Sequence, residues 1–144
     1  MILDANLLLF AVHRGTPLHT PAREWLTAQL NGPRRVGLPW QSLAAFLRIA
    51  THPRAFERPL EAATAWKRVT DWLAAGTAWI PGPGPHHAEV LGELVVRHEI
   101  RGNLIPDAQL AALALEHGLT VFSTDTDFAR FTGVPWENPL APAS

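Results

Sequence analysis

Short, continuous apolar runs alternate along the chain with longer stretches in which apolar residues recur at three- and four-residue intervals. The first kind fits a strand buried on both faces, and the second a helix with one face on a core. Residues 1–3, 35–38, 77–80 and 119–123 read as strands, and 134–137 as a last edge strand. Between them the pattern predicts helices over 6–13, 20–30, 39–50, 59–75, 86–98 and 106–118. Local chemistry marks their ends. Thr20 before Pro21 reads as an N-cap with proline in the first helical position, and Asn31-Gly32-Pro33 stops that helix. Gly118 suits the left-handed residue that closes a helix. Residues 15–18, 51–58, 81–85 and 102–103 read as loops or turns, 127–131 as a single helical turn, and 141–144 as a frayed tail. Strands alternating with helices argue an α/β sandwich around a mainly parallel sheet. No repeat, low-complexity tract or linker breaks the pattern, so residues 1–144 are expected to form a single domain.

Two helices carry more detail. Leu7, Leu8, Leu9 and Phe10 form a continuous apolar run, which reads as a buried helix or, alternatively, as a dimer face. In the helix after the second strand, Trp40, Leu43, Leu47 and Ala50 read as the core face. Gln41, Ala45, Arg48 and His52 share the other face, since residues four apart are neighbours on a helix.

Composition narrows the chemistry. The chain has 144 residues, 47% of them apolar, which fits a globular protein rather than a disordered one. With no cysteine, disulfides and thiolate metal sites are excluded. No apolar run approaches the roughly 20 residues of a membrane span. No basic segment precedes the first strand, so no signal peptide is expected and the expected compartment is the cytoplasm. Net charge is −1, which removes an overall basic field but leaves room for local patches. Lys67 is the only lysine. Arginine pairs with phosphate bidentately and stacks on bases, so Arg34, Arg35, Arg97, Arg101 and Arg130 are candidate phosphate contacts as well as ordinary solvated charges. The histidines form no HExxH pattern, and no GxxxxGK[ST] segment supports a Walker-type NTPase. The six tryptophans read as core or as partner surface.

Four of the five aspartates stand at the ends of apolar segments: Asp4, Asp107, Asp125 and Asp127. Parallel strands deliver their C-terminal ends to one edge of a sheet, so such residues can converge. Two carboxylates about 4 Å apart repel by roughly 4 kcal/mol at an effective dielectric near 20. A cluster therefore needs a cation or protons, and hard oxygen ligands select Mg²⁺ or Mn²⁺. Singly, each acid has another use. Asp4 suits a helix N-cap, Asp107 favours a helix macrodipole, and Asp125 and Asp127 suit a turn. Acids at three separate segment ends are harder to explain that way.

These segments carry a resemblance. Met1-Ile2-Leu3-Asp4-Ala5-Asn6, the stretch from Gly102-Asn103 through Pro106-Asp107 to Ala114, and Thr124-Asp125-Thr126-Asp127-Phe128 resemble the motifs of PIN-domain ribonucleases. The likeness is greatest to VapC-type toxins of type II toxin–antitoxin systems. Leu38-Pro39-Trp40-Gln41-Ser42 and Trp136-Glu137-Asn138-Pro139-Leu140 are similar to a subgroup of that family, and the resemblance spans essentially the whole chain. It implies a Rossmann-like PIN fold, Mg²⁺-dependent RNA cleavage by in-line attack of water leaving a 5′-phosphate and a 3′-hydroxyl, a homodimer, and inhibition by a cognate VapB-like antitoxin. Asp4, Asp107 and Asp125 are then the expected catalytic metal ligands, with Asp127 a further ligand or nearby carboxylate. Asn6, Gln41, Asn103, Ser123 and Thr124 are candidate supports, and Arg101 and Arg130 candidate RNA contacts. Trp40 and Leu43, or the helix around 66–73, offer apolar surface for an antitoxin. One position departs from the family: Ala45 stands where most members carry a glutamate, which weakens a second metal position and leaves a non-catalytic scaffold as an alternative. A haloacid-dehalogenase-like phosphatase is a further alternative, but it wants Asp-x-Asp where this chain has Asp4-Ala5-Asn6.

Overall fold

Two residues at a time, five strands assemble one sheet in the computed structural model, which describes residues 1–56 and 58–142. They are β1 (Ile2–Leu3), β2 (Val36–Gly37), β3 (Ala78–Trp79), β4 (Val121–Phe122) and β5 (Trp136–Glu137). Their order is β3-β2-β1-β4-β5, and every pairing is parallel. Parallel neighbours need crossover connections, and these hold the helices: α1 (Ala5–Val12), α2 (His19–Leu30), α3 (Trp40–Ala50), α4 (Ala62–Leu73), α5 (His87–Arg97) and α6 (Ile105–His117). The expected α/β architecture is therefore present, with the edge strand parallel as well. Among the described residues no helix is long and apolar enough to cross a membrane.

Successive strand residues point to opposite faces, and the core divides accordingly. Ile2 and Val121 pack with α5 and α6 residues such as Leu94, Leu110 and Ala111. Leu3, Val36 and Phe122 pack with Leu7 and Leu8 of α1, Leu26 of α2, Leu43 and Phe46 of α3, and Val69 and Trp72 of α4. Leu9 and Phe10 lean on that second cluster, so α1 is a buried helix.

Three local expectations shift. α2 begins at His19, with Leu18 in the cap position and no side-chain cap, so Thr20 is inside the first turn. Pro21 loses nothing there, because the first four helical N–H groups have no partner in the helix anyway. α4 begins at Ala62, not at Pro59. The Leu60 N–H donates to the Ala50 carbonyl at 2.8 Å, which holds that segment extended against the end of α3. On α3 the buried stripe is Ser42, Leu43, Phe46 and Ala50. Leu47 is only half-buried, and Trp40 is 49% exposed. Of the expected tail, Ala141 and Pro142 are exposed, and residues 143–144 lie outside the described residues.

Two glycines are required by geometry. A Cβ on Gly37 would lie 2.8 Å from the Met1 carbonyl oxygen and 3.1 Å from Pro81. That closeness allows the Gly37 N–H to bond the same oxygen at 2.9 Å, joining β2 to β1. Gly118 closes α6 at φ 65°, the left-handed region.

Candidate functional site

The chain leaves β1 toward β2 and β3 on one side, and places β4 and β5 on the other. The C-terminal ends of β1 and β4 thus form the switch point where open α/β sheets bind ligands. Asp4 stands at the first of these ends and Ser123 at the second. The Asp4 N–H donates to the Phe122 carbonyl at 3.0 Å, and the Ser123 N–H to the Glu137 carbonyl at 3.1 Å. Their side chains meet: Ser123 Oγ donates to Asp4 Oδ2 at 2.7 Å. The same Oγ accepts from Asn6 Nδ2 and from the Asp125 N–H, each at 3.0 Å. A hydroxyl has one donor and two acceptor sites, so Ser123 is fully engaged and fixes three neighbours at once. Asn6 Oδ1 is buried without a hydrogen-bond partner among the described residues.

The other acids arrive from the start of α6 and from the turn that follows β4. Asp107 lies in the first turn of α6, and Asp125 caps the 3₁₀ turn Thr126–Arg130, accepting from the Asp127 N–H at 2.8 Å. Carboxylate oxygens of Asp107, Asp125 and Asp127 all lie within 4.8 Å of one another. Oxygens bound to one hard divalent cation sit about 2.0 to 2.6 Å from it, so the spacing is of the right scale for a metal. Asp4 adds its charge from alongside. Its carboxyl is pushed above the ordinary range, first by burial and also by the Asp125 charge, while the bonds from Ser123 and Ala5 resist the rise. Asp107 is pushed up to about 7, first by burial and then by the charges of Asp4, Asp125 and Asp127, with Arg130 opposing. An oxygen-only cluster that resists ionising is the donor set a divalent cation relieves. The capping roles coexist with this convergence: Asp4 Oδ1 accepts from the Ala5 N–H at 2.8 Å.

The remaining candidates divide. Gln41 Nε2 donates to the Pro106 carbonyl at 3.2 Å, so its amide braces the start of α6 instead of meeting an acid. Asn103 is exposed and Thr124 half-buried, and neither makes a side-chain hydrogen bond among the described residues. Arg130 sits on the cluster, donating to Asp127 Oδ1 at 3.2 Å. Arg101 is exposed just before the 3₁₀ turn Gly102–Leu104 that leads into α6. Arg35 lies over the Trp79 ring at 4.2 Å, and Arg97 pairs with Glu93 at 3.8 Å. Two supports escaped the sequence reading. Ser42 Oγ donates to the Leu3 carbonyl at 2.7 Å, tying α3 to the end of β1. Trp136 Nε1 donates to the Ser123 carbonyl at 3.0 Å, tying β5 to the cluster. The available signal was generic: a serine or indole set among apolar residues needs a partner.

Residues 1–134 match the family model described as the PIN domain. The chain belongs to the PIN-domain family. Within it the chain is of the VapC type. Ribonuclease VapC37 of Mycobacterium tuberculosis is 44% identical over 140 residues, covering 97% of each chain. Ribonuclease VapC33 of the same organism is 39% identical over 140 residues, covering 97% of this chain and 98% of its own. The fold is shared with a chain of the VapBC2 crystal structure from Rickettsia felis bound to a promoter DNA fragment. That match has a TM-score of 0.71 at 16% identity, covering 95% of this chain and 96% of the other. A PIN domain leaves no place for the phosphatase alternative.

Proposed function

We propose that this VapC-type PIN domain, taken as one unit over residues 1–144, is a Mg²⁺-dependent endoribonuclease and the toxic component of a type II toxin–antitoxin pair. The observation that carries the reading is the convergence of the Asp107, Asp125 and Asp127 oxygens within 4.8 Å, at the sheet's switch point beside Asp4. The names of the relatives VapC37 and VapC33 support RNA as the substrate. Asp4, Asp107, Asp125 and Asp127 are the residues to hold Mg²⁺ or Mn²⁺, which when bound supplies Lewis acidity to water and to the phosphodiester. Ser123 fixes the orientation of the Asp4 carboxylate. Asp107, pushed up to about 7, is partly protonated near neutral pH in the metal-free protein, and cation binding favours its ionised form. Arg101 and Arg130 contact RNA phosphates. Ala45 contributes no carboxylate, so any second metal position is weak.

A nuclease active in the cytoplasm of its own cell has to be restrained. An arginine from a VapB-like antitoxin would satisfy the acidic cluster by charge-assisted hydrogen bonds and displace the metal. Leu43 is fully buried and cannot anchor that partner, whereas Trp40 and Trp66 are exposed. A homodimer is the proposed assembly. Expression of the protein alone is expected to arrest growth, and co-expression of the upstream gene product to restore it. Asp4→Asn is expected to relieve the arrest without any antitoxin. Normal growth on strong expression of soluble, folded parent protein would overturn the toxin reading in favour of a non-catalytic scaffold.

A further inference from the structure

The C-terminal edge of the sheet continues beyond the acids. Trp40 and Gln41 follow β2, and Ile80 and Pro81 follow β3. With α6 these two segments enclose a cavity of ≈230 Å³, whose wall includes Trp40, Gln41, Ile80, Pro81 and Gln109. Neighbouring strands lie about 4.8 Å apart, so in the order β3-β2-β1-β4 this cavity, between the ends of β3 and β2, is about 10 Å along the edge from the switch point between β1 and β4. Gln41 joins the two places. It lines the cavity, and its Nε2 bonds the carbonyl of Pro106, the residue before Asp107.

Trp40 is placed for a ligand more than for the core. Leu43 and Phe46 fill the interior beneath α3, while Trp40 is 49% exposed. Its ring lies 8° from parallel with that of Trp66, itself 48% exposed, with centroids 6.5 Å apart. That spacing is at the long end for an aromatic pair, so each ring keeps apolar area free. The cavity wall contains no arginine or lysine, and its one histidine, His87, is held by Glu116 at 2.7 Å. An uncharged wall does not suit a phosphate. It does suit a flat, weakly polar group smaller than a drug-sized ligand.

We propose that this cavity receives one unpaired nucleobase of the RNA, next to the phosphate held at the acids. Trp40 stacks on the base, Trp66 backs Trp40, and the Gln41 carbonyl oxygen and the Gln109 amide read the base edge. Single-stranded RNA is commonly recognised this way, with splayed bases stacked on aromatic rings and hydrogen-bonded along their edges. The inference rests on the RNA-cleaving reading of the neighbouring acids, and it adds the residues that select the sequence.

The test is binding of fluorescein-labelled, single-stranded A, C, G and U homopolymers, and of an abasic oligomer of the same length, measured in EDTA so that no cleavage is needed. The parent protein should prefer at least one homopolymer over the abasic chain. Trp40→Ala should weaken that homopolymer about five- to a hundredfold, the range for one lost stacking contact, and leave the abasic chain unchanged. Trp40→Phe should recover most of the affinity. Equal binding of all oligomers by parent and Trp40→Ala overturns the proposal, as does an equal loss on the abasic chain. So does conversion of a parent dimer to a Trp40→Ala monomer, in sedimentation, with RNA affinity per protomer unchanged; that result assigns the face to a second copy. Cleavage of the same homopolymers by the parent in Mn²⁺ is scored separately, so failure of the catalytic reading is distinct from failure of the base site.

Discussion

With its carboxyl pushed up to about 7 by burial and by the charges of Asp4, Asp125 and Asp127, Asp107 is costly to ionise in the metal-free protein. Its folded pKa lies above its ordinary value of 3.8, so the native state holds a proton that the unfolded chain has already lost. Stability from this residue is full below about pH 4 and drains away as pH rises through about 7. Only Arg130 among the named neighbours opposes the trend, and Asp4, also raised, adds to it. Asp107→Asn should therefore melt higher than the parent near pH 7 in EDTA and show a shallower fall in melting temperature between pH 4 and 7. Parallel melting curves across that range would contradict the assignment. At this scale the acids were legible as charges at the ends of apolar segments, Asp4 after β1, Asp125 and Asp127 after β4, and Asp107 at the start of α6. The hub role of Ser123 was legible only as a neighbour of the acid pair. The bonds from Ser42 to Leu3 and from Trp136 to Ser123 were not legible, because they depend on how α3 and β5 register against distant strands.

Among the elements, α3 separates what periodicity can and cannot show. Its existence and its Gln41–Ala45 face followed from the spacing, and the structure brings Gln41 to Pro106 at the start of α6. The buried stripe includes Phe46 where Leu47 was expected, because the helix turns its aromatic against Trp72, with centroids 4.8 Å apart. The late start of α4 had the same cause: a tertiary bond, Leu60 to Ala50, overrode a local proline signal. Ala45 is half-buried and one turn along from Gln41, which makes it a fair place to restore the glutamate common in the family. Ala45→Glu should remain folded and tighten Mn²⁺ binding by about 10- to 100-fold, the range for carboxylates that support a metal site from close by. Titration calorimetry reads this directly. A folded Ala45→Glu protein with unchanged affinity would show that α3 presents this position away from the acids.

The whole molecule places its chemistry by strand order. Alternating strand and helix patterns were enough to argue a parallel sheet, but nothing in hydrophobic periodicity says that β1 lies between β2 and β4. That order makes the switch point, and with it the meeting of residues over a hundred positions apart in the chain, Asp4 and Ser123. It also sets the base cavity and the acids on one edge. Metal-dependent RNA hydrolysis at this edge is most directly tested by following endonucleolytic cleavage of RNA by purified parent protein in EDTA, Mg²⁺ and Mn²⁺, beside folded Asp107→Asn. Cleavage should appear only with a divalent ion and fall by at least about a hundredfold in the variant, since loss of a ligand should exceed the loss of a supporting group. Equal cleavage in EDTA and in Mg²⁺, or an Asp107→Asn protein that cleaves at the parent rate, would contradict it.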